Sequence, residues 1–307
     1  ESPRGIYYSA LFTPGGDRIC AVDMSGVIHE WDVATGREVQ KIQTRSPGYK
    51  TIGRGELAIS PDGKMLAVAN RGEIGFWNRG GATDAGTIRW QDHEFSSISY
   101  SPDGRFIAAG CYDSGEVRVW ETSNFEVALT VMGASDGIVG VVFSPSGDEL
   151  VIPDRDDTAV SVWHLKSKRR RAVLKGHPLI AGPFRFAPSG KTLACAGSEL
   201  IRIWKYPAAE IEKTIQQPNV FTRCLEFSPD GHVLITAGRD INFETPEQQH
   251  AIRLIEIENG GEVGRFESHT NSVNSISLSS DGLHLVTSAH DGKVQLWKFE
   301  QHTVSQE

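Results

Sequence analysis

The sequence lacks the features that mark several common classes of protein. No stretch approaches the about 18 consecutive apolar residues of a membrane-spanning helix, and no signal peptide is visible. The chain has fewer basic residues than acidic ones, 31 against 39, so its net charge is −8. A broad nucleic-acid-binding surface needs positive potential and is therefore disfavoured. We expect no membrane segment and no nucleic-acid partner.

Cysteine is also scarce, and the motifs of several enzyme classes are missing. None of the four cysteines forms a C-x-x-C pair, which disfavours a zinc site. The sequence has no Gly-rich phosphate loop, no Gly-x-Ser-x-Gly elbow and no His-Glu-x-x-His motif. We predict no catalytic residues, no metal and no cofactor. We expect the cysteines to be free thiols packed in the core, which favours a cytoplasmic location.

What the sequence does contain is a repeated turn of the type Ser-Pro-Asp-Gly. Proline presets φ and glycine accepts a positive φ, so each copy predicts a tight turn between two apolar, strand-like runs. Seven copies occur, and they begin at Thr13, Ser60, Ser101, Ser144, Ala187, Ser228 and Ser279.

A tryptophan follows each turn but one, at the end of a β-rich run. The positions are Trp31, Trp77, Trp120, Trp163, Trp204 and Trp297, with Ile255 in the sixth repeat. In five cases the next turn begins 24 residues after this position. A repeat of about 40–45 residues has room for four strands, which is typical of a propeller blade.

The repeat resembles the WD-repeat family over essentially the whole chain. Trp31-Asp32 is a literal Trp-Asp pair, Gly176-His177 is a literal Gly-His pair, and Ser268-His269 takes the place of the latter one repeat later. The resemblance implies an all-β fold, a seven-bladed β-propeller of four-stranded antiparallel blades. Stacked blades bury each other's faces and leave only short strand edges.

The repeat pattern predicts one domain over residues 1–307. Because the chain begins with Glu1 rather than Met, we expect this domain to have been excised from a longer chain. WD-repeat rings usually close with a strand from the N-terminus, but the spacing places that strand before Glu1. The closing strand then comes either from residues 303–307, which we favour, or from outside this chain.

The resemblance also implies a buried network of Asp, His, Ser or Thr, and Trp. The last repeat alone has the whole set, which we expect to connect turns rather than to catalyse a reaction, because a catalytic triad needs an exposed nucleophile and an oxyanion site. The predicted members are His269, Thr287 or Ser288, Asp291 and Trp297.

Two charged segments suggest alternatives. Asp92-His93-Glu94 could contribute metal ligands, but we predict a solvated loop. The run Lys166–Arg171 lies in the turn before the outer strand of the fourth repeat. We predict a solvated hairpin there; the alternatives are a contact for an acidic or phosphorylated partner and a nuclear-localisation-like patch.

Two insertions interrupt the repeat. The first extends the segment between the first and second repeats, around Thr44 to Lys50, where 29 residues replace 24. The second extends the sixth repeat around Arg239 to His250, where 27 residues replace 17 to 19. Residues that a fold does not need often serve function. In the WD-repeat architecture both loops emerge on the usual partner-binding face.

Aromatic residues and arginines recur on that predicted face, and these types often dominate the energetics of protein interfaces. The candidate contacts are Tyr49, Phe95 and Phe221 before inner strands, and Arg71, Tyr112, Arg155, Arg239 and Phe243 between second and third strands.

The sequence therefore predicts a monomeric, non-catalytic scaffold that binds a protein or peptide with its loop face. One alternative is a regulatory or sensor domain that acts in cis within a larger protein. A more distant alternative is a propeller enzyme with a metal site in its central channel.

Overall fold

The computed structural model describes most of the chain, and the regular structure in that part is β-strand. The described residues are 5–44, 56–70, 72–90, 93–134, 138, 140–154, 159–176, 182–240, 249–267, 269–300 and 303–306. Gln249 is the single helical residue among them. No helix in these ranges is long and apolar enough to cross a bilayer.

The repeated turns form through hydrogen bonds between residues close in sequence. In the second copy, Ser60 Oγ donates to Asp62 Oδ1 at 2.6 Å, and the Gly63 N–H donates to the Ser60 carbonyl at 2.8 Å. Gly63 has a φ of 71°, which glycine adopts without a Cβ clash. The same Ser-to-Asp hydrogen bond recurs at Ser101, Ser228 and Ser279.

These turns connect strands into four-stranded antiparallel units, which we number in chain order. Unit 1 contains β1 (Tyr7–Phe12), β2 (Arg18–Asp23), β3 (Val27–Asp32) and β4 (Glu38–Gln43). Unit 2 contains β5 (Glu56–Ile59), β6 (Met65–Asn70), β7 (Glu73–Asn78) and β8 (Thr83–Arg89). Unit 3 contains β9 (Phe95–Tyr100), β10 (Phe106–Cys111), β11 (Glu116–Glu121) and β12 (Val127–Met132). Unit 4 contains β13 (Val142–Phe143), β14 (Glu149–Pro153), β15 (Ala159–His164) and β16 (Arg169–Lys175).

Units 5 and 6 share one long strand and so form a single seven-stranded sheet. Unit 5 contains β17 (Phe184–Phe186), β18 (Thr192–Ala196), β19 (Ser198–Lys205) and the first part of β20 (Glu210–Phe227). The second part of β20 begins unit 6, which continues with β21 (Val233–Asp240), β22 (Ile252–Glu256) and β23 (Glu262–Phe266). Unit 7 contains β24 (Val273–Leu278), β25 (His284–Ala289), β26 (Val294–Glu300) and β27 (Thr303–Gln306).

The innermost strands of six units, together with Val141 directly before β13 of unit 4, surround one cavity of about 330 Å³. Its lining includes Leu11, Leu57, Ile98, Val141, Phe184, Leu225 and Ile276, one residue from each unit. Units 1 and 7 are in direct contact, since the Ala10 N–H donates to Ser275 Oγ at 2.7 Å. The predicted all-β, antiparallel fold is confirmed, and this arrangement is compatible with seven blades.

The hydrophobic core lies between units rather than within them. Ile74 of unit 2 packs in one cluster with Ile107 and Trp120 of unit 3, and Ala10 of unit 1 packs with Val286 of unit 7. All four cysteines are buried free thiols, as predicted. Since each interface buries strands from two neighbours, each unit depends on its neighbours for stability.

The C-terminal tail supplies an outer strand to unit 7, the option that we favoured. β27 pairs with β26 from Trp297↔Gln306 to Glu300↔Thr303. In unit 4 the corresponding pairing extends over the whole third strand, from Ala159↔Lys175 to His164↔Arg169. The outer edge of Val294–Leu296 therefore has no partner strand among the described residues.

Candidate functional site

Four of the five predicted network residues are joined by hydrogen bonds in unit 7. Asp291 Oδ2 lies 2.9 Å from His269 Nδ1, and Thr287 Oγ1 lies 2.8 Å from His269 Nε2. Trp297 Nε1 donates to Thr287 Oγ1 at 3.2 Å. The fifth residue, Ser288, lies outside this chain of bonds, with its hydroxyl 2.9 Å from that of Ser275.

The carboxylate of this network fixes one proton position. A carboxylate only accepts, so His269 donates from Nδ1 to Asp291, and the Thr287 hydroxyl lies 2.8 Å from Nε2 on the other side of the ring. The same hydroxyl oxygen accepts from Trp297. The geometry resembles a catalytic triad, but Thr287 is 0% exposed. A substrate cannot reach this oxygen, so the network connects loops.

A histidine and an aspartate also approach each other between loops of unit 3, where the sequence indicated a solvated loop. His93 Nδ1 lies 3.3 Å from Asp113 Oδ2, and the His93 ring packs on Trp90 with centroids 4.8 Å apart. His93 lies in the loop before β9, as predicted, and its side chain is 23% exposed because the ring packs on Trp90. The sequence gives no signal for this contact, because Asp113 lies in a different loop from Asp92-His93-Glu94.

Cys111 completes a group of three possible metal ligands with His93 and Asp113. Their ligand atoms lie within 4.8 Å of one another. Burial, with a further contribution from Asp113, raises the pKa of the Cys111 thiol to about 12. The thiol is therefore protonated at neutral pH in the metal-free protein. Asp113 already accepts from the Glu94 N–H at 3.1 Å.

Of the eight predicted contacts on the loop face, four lie within the described residues. Tyr49, Arg71, Arg155 and Phe243 lie outside them. Phe95 is 3% exposed and packs against Trp90, with ring centroids 5.5 Å apart. The prediction that Phe95 contacts a partner was wrong, because the side chain fills the core between units 2 and 3.

The other three described contacts are exposed, and two of them are neighbours. Phe221 is 43% and Tyr112 is 53% exposed, and Arg239 is also exposed. Phe221 lies directly opposite Arg239 in the antiparallel pairing of β20 with β21. Side chains at such positions lie on the same face, about 5 Å apart at Cβ. Tyr112 belongs to unit 3, so it is not part of this pair.

A buried ion pair anchors the strand that leads into the larger insertion. The Arg253 guanidinium donates to the Asp240 carboxylate, and both side chains are 5% exposed. Arg265 adds a second cation 3.8 Å from Asp240 Oδ2. Sequence reasoning missed this cluster, since Arg253 lies on the neighbouring strand. Its effect is to hold Asp240, and with it the backbone next to Arg239.

A second buried charged cluster, in unit 1, was also missed. His29 is 5% exposed, and its ring nitrogens lie 2.6 Å from Glu38 Oε1 and 3.2 Å from Asp23 Oδ2. Burial opposes the charge on His29, but the hydrogen bonds to Asp23 and Glu38 outweigh it and raise the His29 pKa. The ring also stacks on Trp31, with centroids 5.4 Å apart.

The basic run lies where the sequence placed it, in the turn before β16 and in the start of that strand. Arg170 donates to Asp154 at 3.1 Å, and Arg171 Nε lies 3.1 Å from Glu149 Oε1. Lys166, Lys168 and Arg169 are exposed. These three form no ion pair within the part of the chain that the structure describes.

The fold and the network together define a class of protein. Four-stranded antiparallel units packed around a central cavity, with His–Asp pairs between their loops, are the architecture of a propeller-type repeat protein. The family model "WD domain, G-beta repeat" matches residues 86–121 and 260–298. The first matched segment contains His93 and Asp113, and the second contains His269 and Asp291. The predicted resemblance is confirmed in these two places, where the chain matches the WD40 repeat model.

Curated relatives lead to the same conclusion. The "p21-activated protein kinase-interacting protein 1-like" of Danio rerio is 23% identical over 253 residues, which cover 80% of this chain and 64% of that protein. The "Target of rapamycin complex subunit wat1" of Schizosaccharomyces pombe is 23% identical over 233 residues, 74% of this chain and 71% of that protein. The "WD repeat-containing protein 1" of Mus musculus is 24% identical over 225 residues, 69% of this chain and 35% of that protein.

The names of two of these relatives refer to an interaction with a kinase and to membership of a complex. Protein interaction is the general role that such relatives support. The chain spans less than two thirds of the length of several of them, at 64% of the Danio rerio protein and 35% of the Mus musculus protein.

Proposed function

We propose that this chain is a non-catalytic scaffold that binds a protein or peptide on its loop face. The loop face is the end of the units where the innermost strands begin and the second strands end, and it carries Tyr112, Phe221 and Arg239. The observation that supports it best is the exposed pair of Phe221 and Arg239, placed side by side next to the larger insertion.

The energetics of binding favour this pair as a contact. An exposed phenylalanine offers a large apolar area to a partner, and an arginine beside it can bind a carboxylate. Both residues lie on strands, and the buried pair of Asp240 and Arg253 fixes the end of one of them. A site that is already ordered loses little conformational entropy when it binds.

A second candidate is a regulatory or sensor domain that acts in cis. It is supported by the lengths of the relatives, since this chain covers 35% of the Mus musculus protein and 64% of the Danio rerio protein. In that case the same loop face would bind another part of its own polypeptide. A cytoplasmic location stays a prediction that rests on the free cysteines.

The proposal can be tested by a binding assay with matched variants. The wild-type chain, Phe221→Ala/Arg239→Ala and a control, Lys64→Ala/Leu283→Ala, would each be used to isolate partners from a cell extract, followed by titration of the purified partner. Leu283 is 51% exposed and the Lys64 side chain is 80% exposed, and both lie in turns at the opposite end of the units.

We expect the Phe221/Arg239 variant to bind the partner about 1–4 kcal/mol more weakly and the control to bind normally. Both variants should unfold at the wild-type temperature. If charge reversal of Lys166 to Arg171 abolishes binding while the Phe221/Arg239 variant binds normally, the loop face is not the working face.

A further inference from the structure

The outer strand of unit 3 differs in charge from the outer strands of units 1, 2, 4, 5 and 6. A strand at the edge of a sheet can pair with another chain, and natural proteins usually protect such edges with charged residues. Charged residues occur in β4 (Glu38, Lys41), β8 (Asp84, Arg89), β16 (Arg169–Arg171, Lys175), the first part of β20 (Glu210, Glu212, Lys213) and β23 (Glu262, Arg265).

β12 has no such protection. Its sequence is Val-Ala-Leu-Thr-Val-Met, five apolar residues and one threonine, whereas the short β27 has one valine among polar residues. Val127 is 49% and Met132 is 42% exposed. β12 pairs with β11 on one side and is the last strand of its sheet on the other. Among the described residues no strand pairs with this outer edge, so it offers unpaired backbone groups to another strand.

A groove runs along this strand between units 3 and 4. It has a volume of about 480 Å³ and is lined by Val127–Met132, Trp163 and Lys168. Trp163 is half-buried, and its Nε1 donates to Ser161 Oγ at 3.1 Å. The indole nitrogen is thus satisfied within the protein, and the rest of the ring offers an apolar wall to side chains of an added strand.

The charge beside this groove is positive. Lys168 lines it, and Lys166 and Arg169 are exposed on the same turn and strand. These three cations form no ion pair with any residue that the structure describes, in contrast to Arg170 and Arg171. One acidic residue, the exposed Glu126, directly precedes β12. The excess of free cations remains on an otherwise acidic protein.

We propose that the edge of β12 binds an extended, acidic peptide segment of a partner protein by strand addition. Backbone hydrogen bonds to β12 provide affinity, apolar side chains at alternate positions enter the groove, and flanking carboxylates pair with Lys166, Lys168 and Arg169. Charge disfavours a second copy of this chain as the occupant. Its basic run would repel the cations beside β12, and two copies would each carry a net charge of −8.

This site lies on the outer rim and does not depend on the loop face. One chain could therefore hold two partners at once, as a scaffold requires. The surface forms from two units, because the strand belongs to unit 3 and the cations belong to unit 4. The basic run by itself forms only a hairpin, and the groove exists because β12 lies beside it.

A defined peptide tests the proposal. The probe is a fluorescein-labelled peptide of about ten residues in which valine and threonine alternate and two glutamates follow. A second peptide replaces the glutamates by lysines, and a third replaces the central valine by proline, which cannot donate a backbone hydrogen bond. Binding to the full chain is measured by fluorescence polarisation and by hydrogen exchange of the β12 amides.

We expect the acidic peptide to saturate and to protect amides of Val127–Met132 from exchange. The lysine and proline peptides should bind at least about tenfold more weakly. Val127→Lys/Met132→Lys should lose binding at least about tenfold, and Lys166→Glu/Lys168→Glu should do the same. The matched control is Val39→Lys/Val263→Lys, which places lysines at valines that are 49% and 57% exposed on β4 and β23. This control should bind like the wild type.

Three results would overturn the proposal. The first is no saturable binding of the acidic peptide to the wild-type chain. The second is binding that depends on the lysines but is unchanged in Val127→Lys/Met132→Lys and by proline, since this is electrostatic attraction without strand addition. The third is dimerisation in sedimentation velocity that Val127→Lys/Met132→Lys abolishes, since a second copy then occupies the edge.

Discussion

Asp291 and His269 join the two loops at one end of unit 7. Asp291 Oδ2 lies 2.9 Å from His269 Nδ1 and also accepts the Thr270 N–H at 3.1 Å, while Oδ1 accepts the Lys293 N–H at 3.0 Å. Burial opposes the charge on Asp291, but the hydrogen bond from His269 outweighs it and lowers the Asp291 pKa. One carboxylate thus fixes the loop before β24 and the turn before β26.

Replacement of Asp291 by alanine should destabilise the protein. We expect Asp291→Ala to lower the free energy of unfolding by about 1–3 kcal/mol, because His269 and two backbone N–H groups lose their acceptor. Urea denaturation measures the change. Lys293→Ala, an exposed substitution in the same turn, is the control and should stay within about 0.5 kcal/mol of the wild type. An unchanged midpoint for Asp291→Ala would mean that the carboxylate is only a solvated turn residue.

The His29 cluster predicts a loss of stability as the pH rises through the folded pKa of His29. Because its folded pKa is raised above the ordinary 6.5, His29 contributes its full stabilisation below about pH 6.5 and loses it as the pH rises through the folded pKa. We expect His29→Gln to cost about 1–3 kcal/mol at about pH 6 and progressively less at higher pH. Urea denaturation across this range measures the difference from the wild type.

The carboxylate of Asp23 predicts a loss of stability at acidic pH. Its pKa is lowered to about 2, since the hydrogen bonds from His29 and Ser25 outweigh the effect of burial. Its contribution is present above the ordinary value of 3.8 and is lost as the pH falls towards 2. His232→Gln, at an exposed histidine, is the control for both ranges. A His29→Gln penalty that is independent of pH would show that the ring acts by packing alone.

The buried pair of Asp240 and Arg253 predicts a large cost for the removal of one partner. Asp240→Ala leaves the Arg253 guanidinium buried without its main acceptor, so we expect a loss of about 3–5 kcal/mol. The double variant Asp240→Leu/Arg253→Met removes both charges and should be less destabilised than either single variant. Thermal and urea unfolding of the single and double variants measure the coupling energy between the two residues. Free-energy losses that simply add would contradict a direct pair.

The group of His93, Cys111 and Asp113 predicts independence from metal. Asp113 already accepts a hydrogen bond from the Glu94 N–H, and the Cys111 side chain is a buried free thiol. We therefore expect EDTA to leave the melting temperature unchanged and metal analysis to find no stoichiometric zinc. A fall of several degrees with EDTA, reversed by zinc and absent in His93→Gln, would show a structural metal site instead.

Much of the fold could be predicted from the sequence because its signals are local. The hydrogen bond from Ser60 to Asp62 joins residues two positions apart, and the turn that it forms recurs wherever the same residues do. The network of His269 and Asp291 was predictable because the resemblance to the WD-repeat family implies it and the last repeat contains the whole set. The three exposed candidates, Tyr112, Phe221 and Arg239, followed from repeat register and residue type.

Residue type and repeat register do not determine which side chains are buried and which charges pair. The tertiary structure determines both. Phe95 and Phe221 both come at the start of an inner strand, yet one is 3% and the other 43% exposed. The difference depends on the neighbours: Trp90 and the core between units 2 and 3 cover Phe95. The ion pair of Asp240 with Arg253 and the basic residues beside β12 depend in the same way on adjacent strands or units. The sequence by itself thus determined the turns and the repeat, which form from nearby residues, whereas burial and charge pairing arose only when distant segments packed together.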